Sequence, residues 1–178
     1  MNDLALSIRQ ARPGDAADLA RIYISSWQDT YAALLPHSML GGMSHTLHAQ
    51  RFAGAIRRGG VILAEDGAEG VVGLASLGTA RDSGLGFDGE IYTLYVDPAF
   101  LGRGAGAALL HGAFASLKDR AFSSCLIWSH AQNNACFFYE AMGGKRVGAR
   151  DTRLAGTGLT EIAFGWKALA VPARRIRI

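Results

Sequence analysis

Gly102, Gly104 and Gly106 fall at alternate positions in the run Gly102-Arg103-Gly104-Ala105-Gly106-Ala107. The run follows a strand-like segment and opens a stretch with helical spacing. Glycine lets a backbone approach a ligand closely and take dihedrals that other residues resist. N–H groups at a helix start have no partner inside the helix and attract anions. A diphosphate seated on this loop is therefore sound chemistry. Alternate glycines also occur in tight helix-packing turns, so the loop alone leaves both readings open.

Two familiar phosphate-binding patterns can be tested against it. A P-loop ends in Gly-Lys-Ser/Thr, whereas Gly106 is followed by Ala107-Ala108. The phosphate lysine and the metal-binding hydroxyl are both missing. A dinucleotide fingerprint is nearer, because Gly102-x-Gly104-x-x-Ala107 has its spacing. That pattern also wants an acid about 20 residues on, at the end of the next strand. The next strand is Cys125-Leu126-Ile127-Trp128 and carries none.

Other chemistry-bearing residues are scattered. Trp27 and Tyr31 are four apart, on one helical face, and can wall an amine pocket or pack as core. Asp29 is a weaker candidate for holding a cation. His45-x-x-His48 has metal-compatible spacing but no third ligand, so both read as surface residues and no metal is expected. Cys125 and Cys136 read as buried thiols rather than a disulfide. No Ser-His-Asp constellation is legible.

The elements that must position these residues follow from periodicity. Leu6–Arg12 reads as a strand, and Asp15 caps a helix with Leu19, Ile22 and Tyr23 inward. A separate short segment holds Trp27, Tyr31, Leu34 and Leu35 and stops at Pro36. Ser44 caps a helix to about Arg57, with Leu47 and Phe52 inward. Val61–Glu65 and Val71–Leu77 form a hairpin, Thr79–Gly89 is a loop, and Glu90–Val96 is a strand. Gly104–Arg120 is a helix, Cys125–Trp128 a strand, and Asn133–Met142 a helix. Lys145–Arg153 and Leu159–Trp166 close the fold as a strand pair. The expected class is mixed α/β, with about seven mostly antiparallel strands and four to five helices. The chain's 178 residues suit one domain, 1–170, with a short basic tail at 171–178 holding Arg174, Arg175 and Arg177. A net charge of +3 is too mild for a nucleic-acid surface. No signal peptide or membrane span is apparent, so a soluble cytoplasmic protein is expected.

Two ordered segments then carry a resemblance. Glu90-Ile91-Tyr92-Thr93-Leu94-Tyr95-Val96-Asp97-Pro98, followed by Leu101-Gly102-Arg103-Gly104-Ala105-Gly106, resembles the core motif of the Gcn5-related N-acetyltransferase (GNAT) superfamily. Asn133-Asn134-Ala135-Cys136-Phe137-Phe138-Tyr139-Glu140-Ala141-Met142-Gly143-Gly144 resembles the family's second helix motif. The early strand, Asp15 and Trp27-x-x-x-Tyr31-x-x-Leu34-Leu35-Pro36 also fit, so the likeness spans most of residues 6–167. One position departs. Leu101 stands where the family usually has Gln or Arg, and its side chain cannot donate a hydrogen bond. Weaker cofactor binding is expected there, with Arg103 helping at the phosphates.

The resemblance implies N-acetyl transfer from acetyl-CoA, as co-substrate, to a primary amine. It implies that the cofactor lies along Leu94, Tyr95 and Val96, with backbone amides bonding the pantetheine and polarising the thioester. The diphosphate would sit on Gly102, Arg103, Gly104, Ala105, Gly106 and Ala107. Tyr139 occupies the position of the acid for the departing thiolate, the alternative being an aromatic packed beside Phe137 and Phe138. Glu90 occupies the place of a base acting directly or through water, the alternative being a solvated strand end. Asn133 contacts the pantetheine arm or caps its helix. Tyr92 shares a face with Glu90 and joins Trp27 and Tyr31 on the acceptor side, to which the Thr79–Gly89 loop also contributes. His130 lines the site. The acceptor is expected to be a small amine such as a polyamine or amino acid. A protein amino group and a silent acyl-CoA-binding module are the alternatives. Family members are often dimers, but no interface is legible.

Overall fold

The computed structural model describes residues 6–33, 35–154 and 156–170. Leu34 and the basic tail lie outside the described residues. Among the described residues, seven strands and five α-helices make the expected mixed α/β fold. They run β1 (Leu6–Gln10), α1 (Ala16–Tyr31), α2 (His37–Gly41), α3 (His45–Arg58), β2 (Val61–Asp66), β3 (Gly70–Thr79) and β4 (Gly89–Val96). Then follow α4 (Ala105–Asp119), β5 (Cys125–His130), α5 (Ala135–Ala141), β6 (Lys145–Leu154) and β7 (Thr157–Trp166). The strands form one sheet in the order β1-β2-β3-β4-β5-β7-β6. The β1–β2, β2–β3, β5–β7 and β6–β7 pairings are antiparallel, and β4 runs parallel with β5 over Gly89–Ile91 and Cys125–Ile127.

Two compact units divide the described chain. The first comprises 6–76 and 93–113, the second 77–92 and 114–170. In the first unit, Leu19, Ala20 and Ile22 of α1 and Phe52 of α3 pack with Val61, Leu63 and Leu74 of the strands. In the second, Phe114 lies 5.4 Å from Trp166, and the Trp166 indole N–H donates to the Met142 carbonyl at 2.9 Å.

Several expected boundaries shift for physical reasons. Asp15 does not cap α1 with its side chain. Its carboxylate takes the Arg12 N–H at 2.6 Å and the Arg9 guanidinium at 2.8 Å, and the Arg9 bonds hold it below the usual range. Trp27 and Tyr31 belong to the continuous α1, not to a separate segment. Ser25 donates to the Ile22 carbonyl at 3.1 Å without breaking the ladder. Ser44 does cap α3, accepting the Leu47 N–H at 3.2 Å. Leu47 itself is 45% exposed, against the inward position expected for it. The inward stripe of α3 is buried Phe52 with half-buried Ala49, Ala53 and Ile56, and Leu47 lies off that helical face. Thr79 extends β3, and β5 continues to His130. Both cysteines are buried and free.

Candidate active site

The glycine run connects β4 to α4. Asp97 closes the strand, its N–H donating to the Val72 carbonyl at 2.9 Å and its carboxylate accepting the Ala99 N–H at 3.1 Å. Arg21 holds the same carboxylate at 2.6 Å. Beyond the turn, Gly102 and Gly104 have φ of 74° and 87°. Side chains strongly disfavour that left-handed region. A Cβ on either residue would meet nothing within 4 Å, so backbone conformation rather than crowding demands glycine. Ala108 makes a helical bond to the Gly104 carbonyl at 3.0 Å. The amides of Ala105, Gly106 and Ala107 therefore stand at the helix start, without acceptors inside the helix. Leu101 is 57% exposed. The Arg103 guanidinium lies over the Phe100 ring, 5.4 Å from its centroid. This is a backbone cradle for an anion beside one mobile-length cation.

Upstream of the cradle, β4 changes character. Gly89, Glu90 and Ile91 are buried, whereas Tyr92 through Val96, including Leu94, are half-buried. The Tyr95 hydroxyl accepts the Trp27 indole N–H at 3.0 Å, and Ser26 donates to the Val96 carbonyl at 3.1 Å. Trp27 stacks on Tyr31 at 4.7 Å and on Tyr23 at 5.6 Å. Tyr23 meets Tyr95 edge-on at 5.4 Å. Trp27 and Tyr31 thus share a face as the spacing predicts, within a larger half-exposed aromatic cluster. Tyr23 and the Tyr95 side chain were not anticipated there; the i, i+4 step from Tyr23 to Trp27 was the available signal. Burial, reinforced by Tyr31, pushes the Tyr23 phenol up to about 12, so it stays protonated at neutral pH. His48 is half-buried rather than a plain surface residue, 4.8 Å from Tyr23. Burial, then Arg51 and His45, hold its pKa down. His45 and Asp29 are exposed. Among the described residues, no group of three or more His, Cys, Asp or Glu is placed to hold a metal.

In the second unit Glu90 is 1% exposed, so it is not a solvated strand end. One carboxylate oxygen accepts the Arg81 Nε–H at 3.0 Å and the Arg81 Nη2–H; the other accepts the Arg81 backbone N–H at 2.8 Å. The same guanidinium lies 4.8 Å over the Tyr92 ring, and the Tyr92 hydroxyl donates to the Thr79 carbonyl at 2.7 Å. Arg81 was missed in the sequence because nothing in its local context links it to Glu90.

Tyr139, on α5, is 4% exposed. Its ring packs on Phe138 at 5.3 Å, Phe164 at 5.6 Å and Trp166 at 6.3 Å. Phe137, by contrast, is 70% exposed. The Asn133 side-chain oxygen accepts the Ala135 N–H at 2.9 Å, but the N-cap of α5 is Asn134, so Asn133 braces the turn from one residue outside the helix rather than capping it. His130 is buried, and its carbonyl accepts the Asn133 N–H at 2.9 Å and the Cys136 thiol at 3.3 Å.

The chain is similar to known proteins. Residues 18–144 match the model of the acetyltransferase (GNAT) family. The uncharacterized N-acetyltransferase YuaI of Bacillus subtilis (strain 168) is 32% identical over 165 residues, covering 93% of this chain and 95% of that one. The PaiA N-acetyltransferase of Thermoplasma acidophilum, solved with coenzyme A, is 19% identical with a TM-score of 0.65, covering 88% of this chain and 97% of that one. The yncA acetyltransferase of Salmonella typhimurium, solved with its cofactor acetyl-CoA, is 20% identical with a TM-score of 0.67, covering 95% and 96%. The family match over residues 18–144, around a glycine cradle at the start of α4, means that this chain belongs to the GNAT family of acetyltransferases.

Proposed function

We propose that the chain, as one domain over residues 1–170, transfers the acetyl group of acetyl-CoA to the primary amine of a small molecule such as an amino acid or polyamine. The observation that carries this reading is the cradle, where Gly102 and Gly104 take positive φ beside the first amides of α4. A coenzyme diphosphate is the anion such a cradle suits, through the backbone of residues 102–107, with Arg103 as the side-chain helper. The acetyl-CoA and coenzyme A held by the yncA and PaiA proteins support that choice of cofactor.

The chemistry is a direct attack. The neutral amine's lone pair bonds to the thioester carbonyl carbon, and a β4 amide from Leu94, Tyr95 or Val96 stabilises the oxyanion. The C–S bond then breaks. Tyr139 gives its phenolic proton to the departing thiolate as general acid. The amine's surplus proton passes to water, and a proton from solvent restores the Tyr139 phenol. Both Glu90 oxygens are committed to Arg81, which favours a positioning role for Glu90 over that of a direct base. Asn133 orients the start of α5 and is free to offer its amide NH2 to the pantetheine arm. Trp27, Tyr31 and Tyr92 wall the acceptor.

Thiol release from acetyl-CoA, followed over a panel of amines, tests the reading. Turnover with small amines is expected. Confirmed cofactor binding without turnover on any amine would make the chain a silent module, and turnover confined to peptides would move the acceptor to proteins. Diphosphate density away from residues 102–107 in an acetyl-CoA complex would remove the cradle from the site.

A further inference from the structure

The Arg81 side chain is 63% exposed, yet it is held on two sides. A buried carboxylate, Glu90, takes its Nε edge, and the Tyr92 ring lies under its face. Arg146 and Arg150 also pair with a carboxylate and cover a ring, but their partners Glu140 and Glu161 are partly exposed, whereas the carboxylate that holds Arg81 is buried and takes two of its side-chain N–H groups. A guanidinium carries five N–H donors in a rigid fork. Two of them are spent on Glu90. Nη1 has no hydrogen-bond partner among the described residues, so the outer Nη1/Nη2 edge faces solvent as a ready pair of donors. Long exposed arginines normally lose rotamer freedom on binding; this one has lost it already. A planar anion with two oxygens is the partner that such an edge fits, and a carboxylate matches it bidentately.

Arg81 and Tyr92 also feel Glu161 and Arg120, and Glu161 is itself paired with Arg150 at 2.7 Å. The exposed guanidinium edge itself attracts an anion and opposes a polycation.

We propose that Arg81 is the specificity-determining contact for the acceptor, receiving a carboxylate on its outer edge, so that the amines acetylated are amino acids rather than polyamines. This rests on the N-acetyltransferase reading above and sharpens it. Glu90 is then a positioning residue that acts through Arg81.

Two measurements on the full chain test it. The first is kcat/KM for amino acids, for the matching amino-acid amides and for polyamines. The parent should favour acids over amides by roughly tenfold or more, the scale of a charge-assisted bidentate pair. Arg81→Lys, which keeps the charge and loses the fork, should bring that ratio near one. So should Arg81→Ala/Glu90→Gln, which avoids stranding a buried carboxylate. The second is calorimetric binding of N-acetyl amino acids and of their amides in the presence of coenzyme A, which needs no turnover. The acids should bind the parent roughly tenfold tighter, and the variants should lose that margin. Equal affinity for acid and amide, no binding of either, or a polyamine preference in the parent would overturn the proposal. So would a loss of acetyl-CoA affinity in Arg81→Lys, which would assign the edge to the cofactor. Failure of turnover together with acid-selective binding would instead count against the enzyme reading alone.

Discussion

The glycine cradle and the Arg81–Glu90–Tyr92 corner prepare for negative charge in opposite ways. The cradle does so with backbone: two left-handed glycines and the leading amides of α4, with an exposed leucine where a donor side chain is usual. The corner does so with side chains: a guanidinium locked by a buried carboxylate and a ring. Backbone recognition depends on dihedrals, which glycine spacing announces in the sequence. Side-chain recognition depends on which residues meet, which no local pattern announces. The contrast predicts that the cradle tolerates side-chain changes and fails on backbone changes, while chemistry in the second unit does the reverse.

The sharpest test removes one oxygen. Tyr139→Phe keeps the ring that packs on Phe164 and Trp166, so thermal stability should move little. Loss of a general acid should lower kcat by roughly 100-fold or more at unchanged acetyl-CoA affinity. A parent-like rate under single-turnover conditions would reduce Tyr139 to a core aromatic. The cradle is broken from its backbone by Gly104→Val. A β-branched residue at φ of 87° costs about 2 kcal/mol, so acetyl-CoA affinity should fall by roughly 30-fold in calorimetry. An unchanged affinity would mean that the left-handed turn is not what grips the diphosphate.

Legibility follows the same division. The order of strands and helices and the place of the glycine loop were readable, because periodicity and glycine spacing are local signals. The motif names Tyr139, but its burial among Phe138, Phe164 and Trp166 depends on Phe164 and Trp166 of β7, 25 and 27 residues later. Glu90 looked like a strand end because Arg81 lies nine positions away across a loop. Trp27 shares a face with Tyr31 as its spacing indicates, but α1 runs unbroken from Ala16 to Tyr31 where the sequence suggests a separate segment.

The Thr79–Gly89 loop offers a test through pH. Burial alone would raise the Asp88 carboxyl. Hydrogen bonds from the hydroxyls and amides of Ser124 and Ser123 outweigh it and hold the group well below the usual range. A depressed folded pKa stabilises the fold above the unfolded value of about 3.9, and that contribution is lost as pH falls below it. The melting temperature of the parent should therefore fall more steeply than that of Asp88→Asn between about pH 5 and pH 2. Parallel curves would mean that Asp88 does not anchor the loop carrying Arg81.

The smallest expected effect concerns Leu101. If backbone amides supply most of the grip, adding a side-chain donor there should add only one ordinary hydrogen bond. Leu101→Gln should then tighten acetyl-CoA binding by roughly threefold, the worth of a bond near 0.7 kcal/mol in an exposed site. It also removes an exposed apolar side chain, so any gain in stability must be measured separately by thermal melting without cofactor. A hundredfold gain would contradict the cradle as drawn, because no exposed neutral donor adds that much to a loop whose amides already hold the anion. A gain of threefold, beside a loss of thirtyfold for Gly104→Val, would assign the diphosphate to the backbone and leave side-chain recognition to the Arg81 corner.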